Sequence, residues 1–212
     1  MVKLLKNANF ELATITSSKP RKVDDRYYVM LKEERENMIY QMPKLVLSSD
    51  MTDDDGSPVS FIEMKTLDES FIEKIKDIDN LILEYVKIHK EEWFKGKEIT
   101  DAFLEMGQVN TQKENKENKK EFIIQFKKSN ESTHYDAEKK RIQVTDMKKG
   151  QELYVIGQLV GIWFTSTRWG ITWKVLQTKN EKMYKKVEMD YLFEDEDDDS
   201  EIDEDITPPP GV

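Results

Sequence analysis

The chain has 212 residues, of which 33 are basic and 43 acidic, for a net charge of −10; that is room for one domain with a proper core plus insertions. It contains no cysteine, which excludes a disulfide scaffold, a Cys-ligated zinc site and thiol chemistry. Met1-Val2-Lys3 opens no long apolar run, and no stretch approaches the roughly 18 apolar residues of a membrane span, so a soluble intracellular protein is expected.

The charge is unevenly spread. Residues 1–112 carry a net of −6, residues 113–187 a net of +8, and residues 188–212 hold 12 acidic residues with no Lys or Arg. The negative balance therefore belongs to an appendage and not to the body that precedes it.

In chain order, 10–16 (FELATIT) alternates weakly and is a candidate first strand, and 23–31 (VDDRYYVML) reads as a strand after the loop 17–20. Segment 38–47 (MIYQMPKLVL) is a strand interrupted by Pro43, which cannot donate to a ladder. A turn cluster at 48–58 includes Asp53-Asp54-Asp55-Gly56, read as a solvated turn, and 59–64 resumes a short strand. Thr66-Leu67-Asp68-Glu69 matches a capping box. Phe71, Ile75, Ile78, Ile82 and Tyr85 follow at helical spacing, so a helix is expected over 66–95, with a second, short one over 100–106. Segment 107–120 is polar and low in complexity, and is expected to be a mobile loop.

Segment 121–128 (EFIIQFKK) reads as a strand, 129–140 as a solvated loop and 141–144 as a short strand. Segment 153–164 (LYVIGQLVGIWF) is long and apolar, with Gly157 and Gly161 placed for curvature or bulging. It turns at 165–168 and returns as 169–177 (WGITWKVLQ). Several strands, one substantial helix and a closing curved hairpin suit a mainly β fold: a five-stranded OB-fold barrel with an inserted helix.

Three basic clusters fall at strand ends and turns: Lys127-Lys128, Lys139-Lys140-Arg141 and Lys148-Lys149. Lys19, Arg21, Lys22 and Arg26 form a fourth beside Tyr27 and Tyr28, of which only one can face a given side of a strand. In the returning strand, alternation puts Trp169, Ile171, Trp173 and Val175 on one face, the inward one, and Lys174 beside Thr172 on the other. Trp163 and Trp169 flank the turn next to Arg168. Such rings either stack bases or rigidify their own hairpin. Cations interleaved with aromatic rings are the pattern of a groove that tracks a polynucleotide, the rings stacking bases at roughly 1–3 kcal/mol each. Phosphate contacts are thus expected from Arg21, Lys22, Lys127, Lys128, Lys148, Lys149, Arg168 and Lys174, and base stacking from Tyr28, Trp163 and Trp169. His89 and His134, expected on a helix and in a loop, have no spacing that makes a metal site. With no phosphate-cradling glycine loop and no nucleophile elbow, neither catalysis nor a cofactor is expected.

Residues 194–205 contain ten carboxylates among twelve residues, which keeps such a segment extended by self-repulsion. Tyr191-Leu192-Phe193 precedes it and Pro208-Pro209-Pro210 follows. The expected organisation is a nucleic-acid-binding domain over 1–187 and a disordered acidic tail over 188–212.

The segment GQLVGIWFTSTRWGITWKVLQ (157–177), the earlier IYQMPKLVL (39–47) and the acidic tail together resemble single-stranded DNA-binding proteins of nucleocytoplasmic large DNA viruses. Those proteins are related to the OB-fold replication proteins of short-tailed phages. The resemblance implies sequence-independent binding of single-stranded DNA in viral replication, recombination or repair, in the host cytoplasm or nucleus. It also implies a tail that competes with DNA and recruits replication proteins. The phage proteins end in an aromatic residue whereas this chain ends Pro-Pro-Pro-Gly-Val, so aromatic docking would fall to Tyr191 or Phe193. A homodimer, and RNA as a ligand, stay open. So do two rival functions: an acidic-tailed interaction module or chaperone for basic proteins, and a polymerase accessory or degenerate enzyme domain.

Overall fold

The computed structural model describes residues 2–52, 59–94, 98–129 and 131–180. The Asp53-Asp54-Asp55-Gly56 turn and the acidic tail lie outside the described residues. The elements are β1 (Lys3–Leu4), β2 (Ile15–Ser17), β3 (Arg21–Val23), β4 (Arg26–Glu33), β5 (Met38–Gln41), β6 (Leu45–Leu47) and β7 (Phe61–Thr66), then helices α1 (Glu69–Trp93) and α2 (Asp101–Gly107). There follow β8 (Gln108–Val109), β9 (Gln112–Glu114), β10 (Phe122–Lys127), β11 (Thr133–Tyr135), β12 (Arg141–Ile142), β13 (Glu152–Phe164) and β14 (Trp169–Asn180).

Five strands close a ring. β6 pairs with β7, β7 with β10, β10 with β14, β14 with β13, and β13 returns to β6. All the pairings are antiparallel except β10 with β14, a single parallel contact that gives the strand order of an OB barrel. The expected mainly β barrel with an inserted helix is the fold observed.

The long hairpin organises the rest. On one edge β13 pairs with β14, with register shifts at Ile156/Gly157 and Leu159/Gly161. On its other edge it serves three strands in succession: β6 at Glu152–Leu153, β5 at 156–159 and β4 at 161–164. Pro43 falls in the break between β5 and β6, as its missing N–H requires. The barrel interior holds Trp173, Phe126, Leu45, Leu47 and Met64, continuous with the apolar face of α1. Trp173 is thus core, as alternation indicates.

Several local expectations are corrected. The strand expected over 23–31 is split by a tight turn at Asp24-Asp25, where Asp24 takes a φ of 54°, so β3 and β4 form a hairpin. Helix α1 is capped not by Thr66 but by Asp68, whose carboxylate accepts the Phe71 amide at 3.0 Å. The Thr66 hydroxyl instead accepts the Asp68 amide. His134 lies on β11, buried, with Nδ1 2.8 Å from the Thr178 hydroxyl.

Residues 107–120 carry two short strands in place of the expected mobile loop: β8 pairs with β14 and β9 with β10. Composition misleads here because the anchoring comes from a distant partner. Buried Asp79 of α1 accepts the Thr111 amide at 2.9 Å and the Thr111 hydroxyl, and the Gln108 side chain donates to the Asp79 carbonyl. Among the described residues no helix is long and apolar enough to cross a membrane.

Burial pushes the Asp79 carboxyl up from 3.8 to about 6, against the pull of the Thr111 hydrogen bonds. A raised carboxyl favours folding fully below its unfolded value, and that contribution is lost as pH rises through about 6. Asn can still accept the Thr111 amide and does not titrate. Relative to the parent, Asp79→Asn is therefore expected to gain roughly 1–3 kcal/mol of unfolding free energy between about pH 4 and pH 7. Urea unfolding at both pH values measures this, and a difference that does not change with pH would contradict it.

Candidate nucleic-acid interface

The pleat of the curved sheet sorts the cations and rings by face, because residues paired directly across strands point to the same side. One row runs Arg21 of β3, Tyr28 of β4, Trp163 of β13 and Gly170 of β14. The next outward-facing row is Met30, Gly161 and Thr172. A third runs Lys174 of β14, Lys127 of β10 and Phe61 of β7. The middle row is low at Gly161, which has no side chain, and at Thr172, whose side chain is small, while Met30 stands exposed at its β4 end. The result is a trough of about 1040 Å³ walled by the segments around Ser18 and Ser129. A smaller hollow of about 120 Å³, lined by Tyr28, Phe61, Lys127 and Trp163, continues it.

Gly161 cannot be replaced without cost. A Cβ there would lie 2.0 Å from the Val29 carbonyl oxygen, at a φ of 155°. Gly170 plays a different part. Its missing side chain leaves a seat for the Trp163 indole, whose atoms would sit 3.0–3.1 Å from a Cβ at that position. Trp163 is half-buried in that seat, and the Arg26 guanidinium lies over its ring at 5.2 Å, a cation–π contact.

Arg21, Lys127 and Lys128 make no ion pair among the described residues. Lys174 has only a 3.9 Å contact with Glu131, whose side chain is 89% exposed. An ion pair so open to water contributes little. Lys128 is half-buried, and that burial lowers its pKa.

Of the expected site residues, Arg21, Tyr28, Lys127, Lys128, Trp163 and Lys174 meet on this trough and its continuation. Lys22 does not: it pairs across to Tyr27 and faces the other side of the hairpin. Lys148 and Lys149 stand beside Asp50 near the start of β13. Nine residues of strand, roughly 30 Å of chain, separate Glu152 from Gly161. Arg168 is exposed at the turn, beyond the last cross-strand pair, Phe164–Trp169. Trp169 is 2% exposed and its indole donates to the Leu104 carbonyl at 2.7 Å. The expectation that it is an open stacking ring is overturned, because α2 covers the inward face of the hairpin tip.

Two residues escaped the sequence reading of the site. Arg26 belongs to a basic cluster in sequence, and only the fold sets it over the Trp163 ring. Phe61, 49% exposed, could have been found by alternation: in FIEMKT, Ile62 and Met64 point inward, which leaves Phe61 outside. Among the described residues no group of His, Asp and Glu is arranged to hold a metal ion.

Residues 55–195 match the sequence profile of a family described as a family of unknown function, DUF5871. The chain belongs to this family. No curated protein matches the DUF5871 chain. Among solved structures, it is similar to the single-stranded DNA-binding protein of bacteriophage Enc34 in complex with single-stranded DNA. Identity is 14% and the TM-score 0.47, over 77% of this chain and 94% of that one. The same phage protein in a second structure gives 13% and 0.48, over 82% and 96%. The single-stranded DNA-binding protein gp2.5 of bacteriophage T7 gives 8% and 0.46, over 68% and 91%. None of these likenesses supplies a residue to the trough.

Proposed function

We propose that the protein binds single-stranded DNA along this trough without strong sequence preference, as a coating factor in viral DNA replication, recombination or repair. One observation carries the reading: Arg21, Tyr28 and Trp163 share a cross-strand row along the trough and its smaller continuation, which Lys127, Lys128 and Lys174 also line. A polynucleotide needs that alternation. Its phosphates recur at fixed spacing and need cations, while each base offers an aromatic face whatever its identity. Tyr28, Trp163 and Phe61 are the stacking rings. The Arg26 guanidinium, parked over Trp163, moves to a phosphate as a base takes its place. Glu131 is displaced from Lys174 in the same way.

The tail over 188–212 is, in this proposal, a polyanion that competes with DNA for the trough and recruits partner proteins. Its charge complements Arg21, Arg26, Lys127, Lys128 and Lys174.

If those five cations meet five phosphates, log affinity falls against log salt with a slope near −3.5, at roughly −0.7 per single-strand contact. Titration with oligo-dT should also quench tryptophan fluorescence through Trp163, and Trp163→Phe should remove most of that signal. Binding insensitive to salt, or no fluorescence response, would count against the trough and leave the tail as the working surface of an interaction module. Truncation after Val187 is expected to tighten DNA binding severalfold at low salt, as measured by anisotropy. Equal or weaker affinity in the truncated chain would refute competition by the tail.

A further inference from the structure

The β3–β4 hairpin carries a second cation–aromatic row on the face opposite the trough. Lys22 pairs across to Tyr27, Tyr27 to Phe164, and Phe164 to Trp169. Tyr27 lies nearly parallel to Phe164, with centroids 5.4 Å apart and planes 9° from coplanar. Phe94, just beyond α1, meets Phe164 at 4.8 Å. These rings line a cleft of about 720 Å³ between the hairpin and the end of α1, together with Lys19, Lys22 and Trp93.

Four features indicate what the cleft takes. Tyr27 stays 40% exposed although it stacks on Phe164, so part of its surface is open to a second flat group. Lys19 and Lys22 have no ion-pair partner among the described residues. The two acids of the cleft stand open to water, which screens them: the Asp25 side chain is 82% exposed and that of Glu92 55%. Finally, Lys19 lines both the cleft and the trough, so the two hollows share a cationic shoulder.

We propose that the cleft is a second nucleotide subsite for the same strand. A strand leaving the trough crosses the Lys19 shoulder, places a phosphate near Lys22 and stacks a base on Tyr27. The hairpin is then a two-sided finger around which the strand wraps, with Tyr28 serving one face and Tyr27 the other. This inference rests on the single-strand reading of the trough.

The test is a length series of oligo-dT strands, from about 4 to about 16 nucleotides, titrated against the full chain and against Tyr27→Ala, Tyr27→Phe and Lys22→Gln. Short strands that fill only the trough should bind all four proteins alike. Long strands should bind Tyr27→Ala at least about fivefold more weakly than the parent, the loss of one stacked base. Lys22→Gln should also weaken them and flatten their salt slope by about 0.7, whereas Tyr27→Phe should bind as the parent does. Thermal melts confirm that each variant is folded. If Tyr27→Ala binds long strands as tightly as the parent while short strands still bind, the subsite is refuted, the trough survives, and the cleft serves some other ligand such as a peptide. If no strand of any length binds, both readings fall together.

Discussion

The bend in β13 is the constraint on which the remaining structure depends. A flat strand of its length would offer its outer edge to one neighbour. By shifting register at Gly157 and Gly161 it turns far enough to meet β6, β5 and β4 in succession. The first of these closes the barrel and the last flares away from it. At the crossing with β4 the backbones approach so closely that a methyl group would overlap the Val29 carbonyl. This closeness also lays down the trough floor, since what cannot accommodate a side chain cannot fill the hollow either. The seat of Trp163 over Gly170 extends the principle by one pair: a glycine on one strand holds a ring on the next.

Face selection follows from this geometry. Neighbouring residues on β4 and β13 alternate between a wet concave side and the opposite side of the hairpin. Tyr27 and Tyr28, and likewise Trp163 and Phe164, therefore serve different surfaces although each pair is adjacent in sequence. The same rule separates Arg21 from Lys22. Charge along the chain is thus a poor guide to charge in space: one residue of register moves a cation from the trough to the cleft. Lys148 and Lys149 show the other failing, since they lie on the same strand system yet at its far end, held beside Asp50.

Much of the architecture was legible from pattern. The helical spacing from Phe71 to Tyr85, the interruption at Pro43 and the glycines of 153–164 all act locally, and all appear where expected. The inward set of Trp169, Ile171, Trp173 and Val175 followed from a period of two. Trp169 was nonetheless expected to be open as well, on its position at a hairpin tip; alternation was the better guide, because α2 packs over that tip. What could not be read depended on partners distant in sequence. Thr111 helps to order a polar stretch because Asp79, 32 residues away, offers a buried carboxylate. The Asp24-Asp25 turn hid because two aspartates in an apparent strand look like ordinary solvated positions until the hairpin register is known.

Amide chemical-shift mapping locates a bound strand on the sheet. As oligo-dT is added to isotope-labelled protein, perturbations should concentrate on the strands that carry Arg21, Tyr28, Trp163, Thr172, Lys174 and Lys127. The start of β13 near Lys148 and Lys149 should stay unmoved. Perturbations centred on that far end, or absent from the trough while binding is measurable, would contradict binding along the trough.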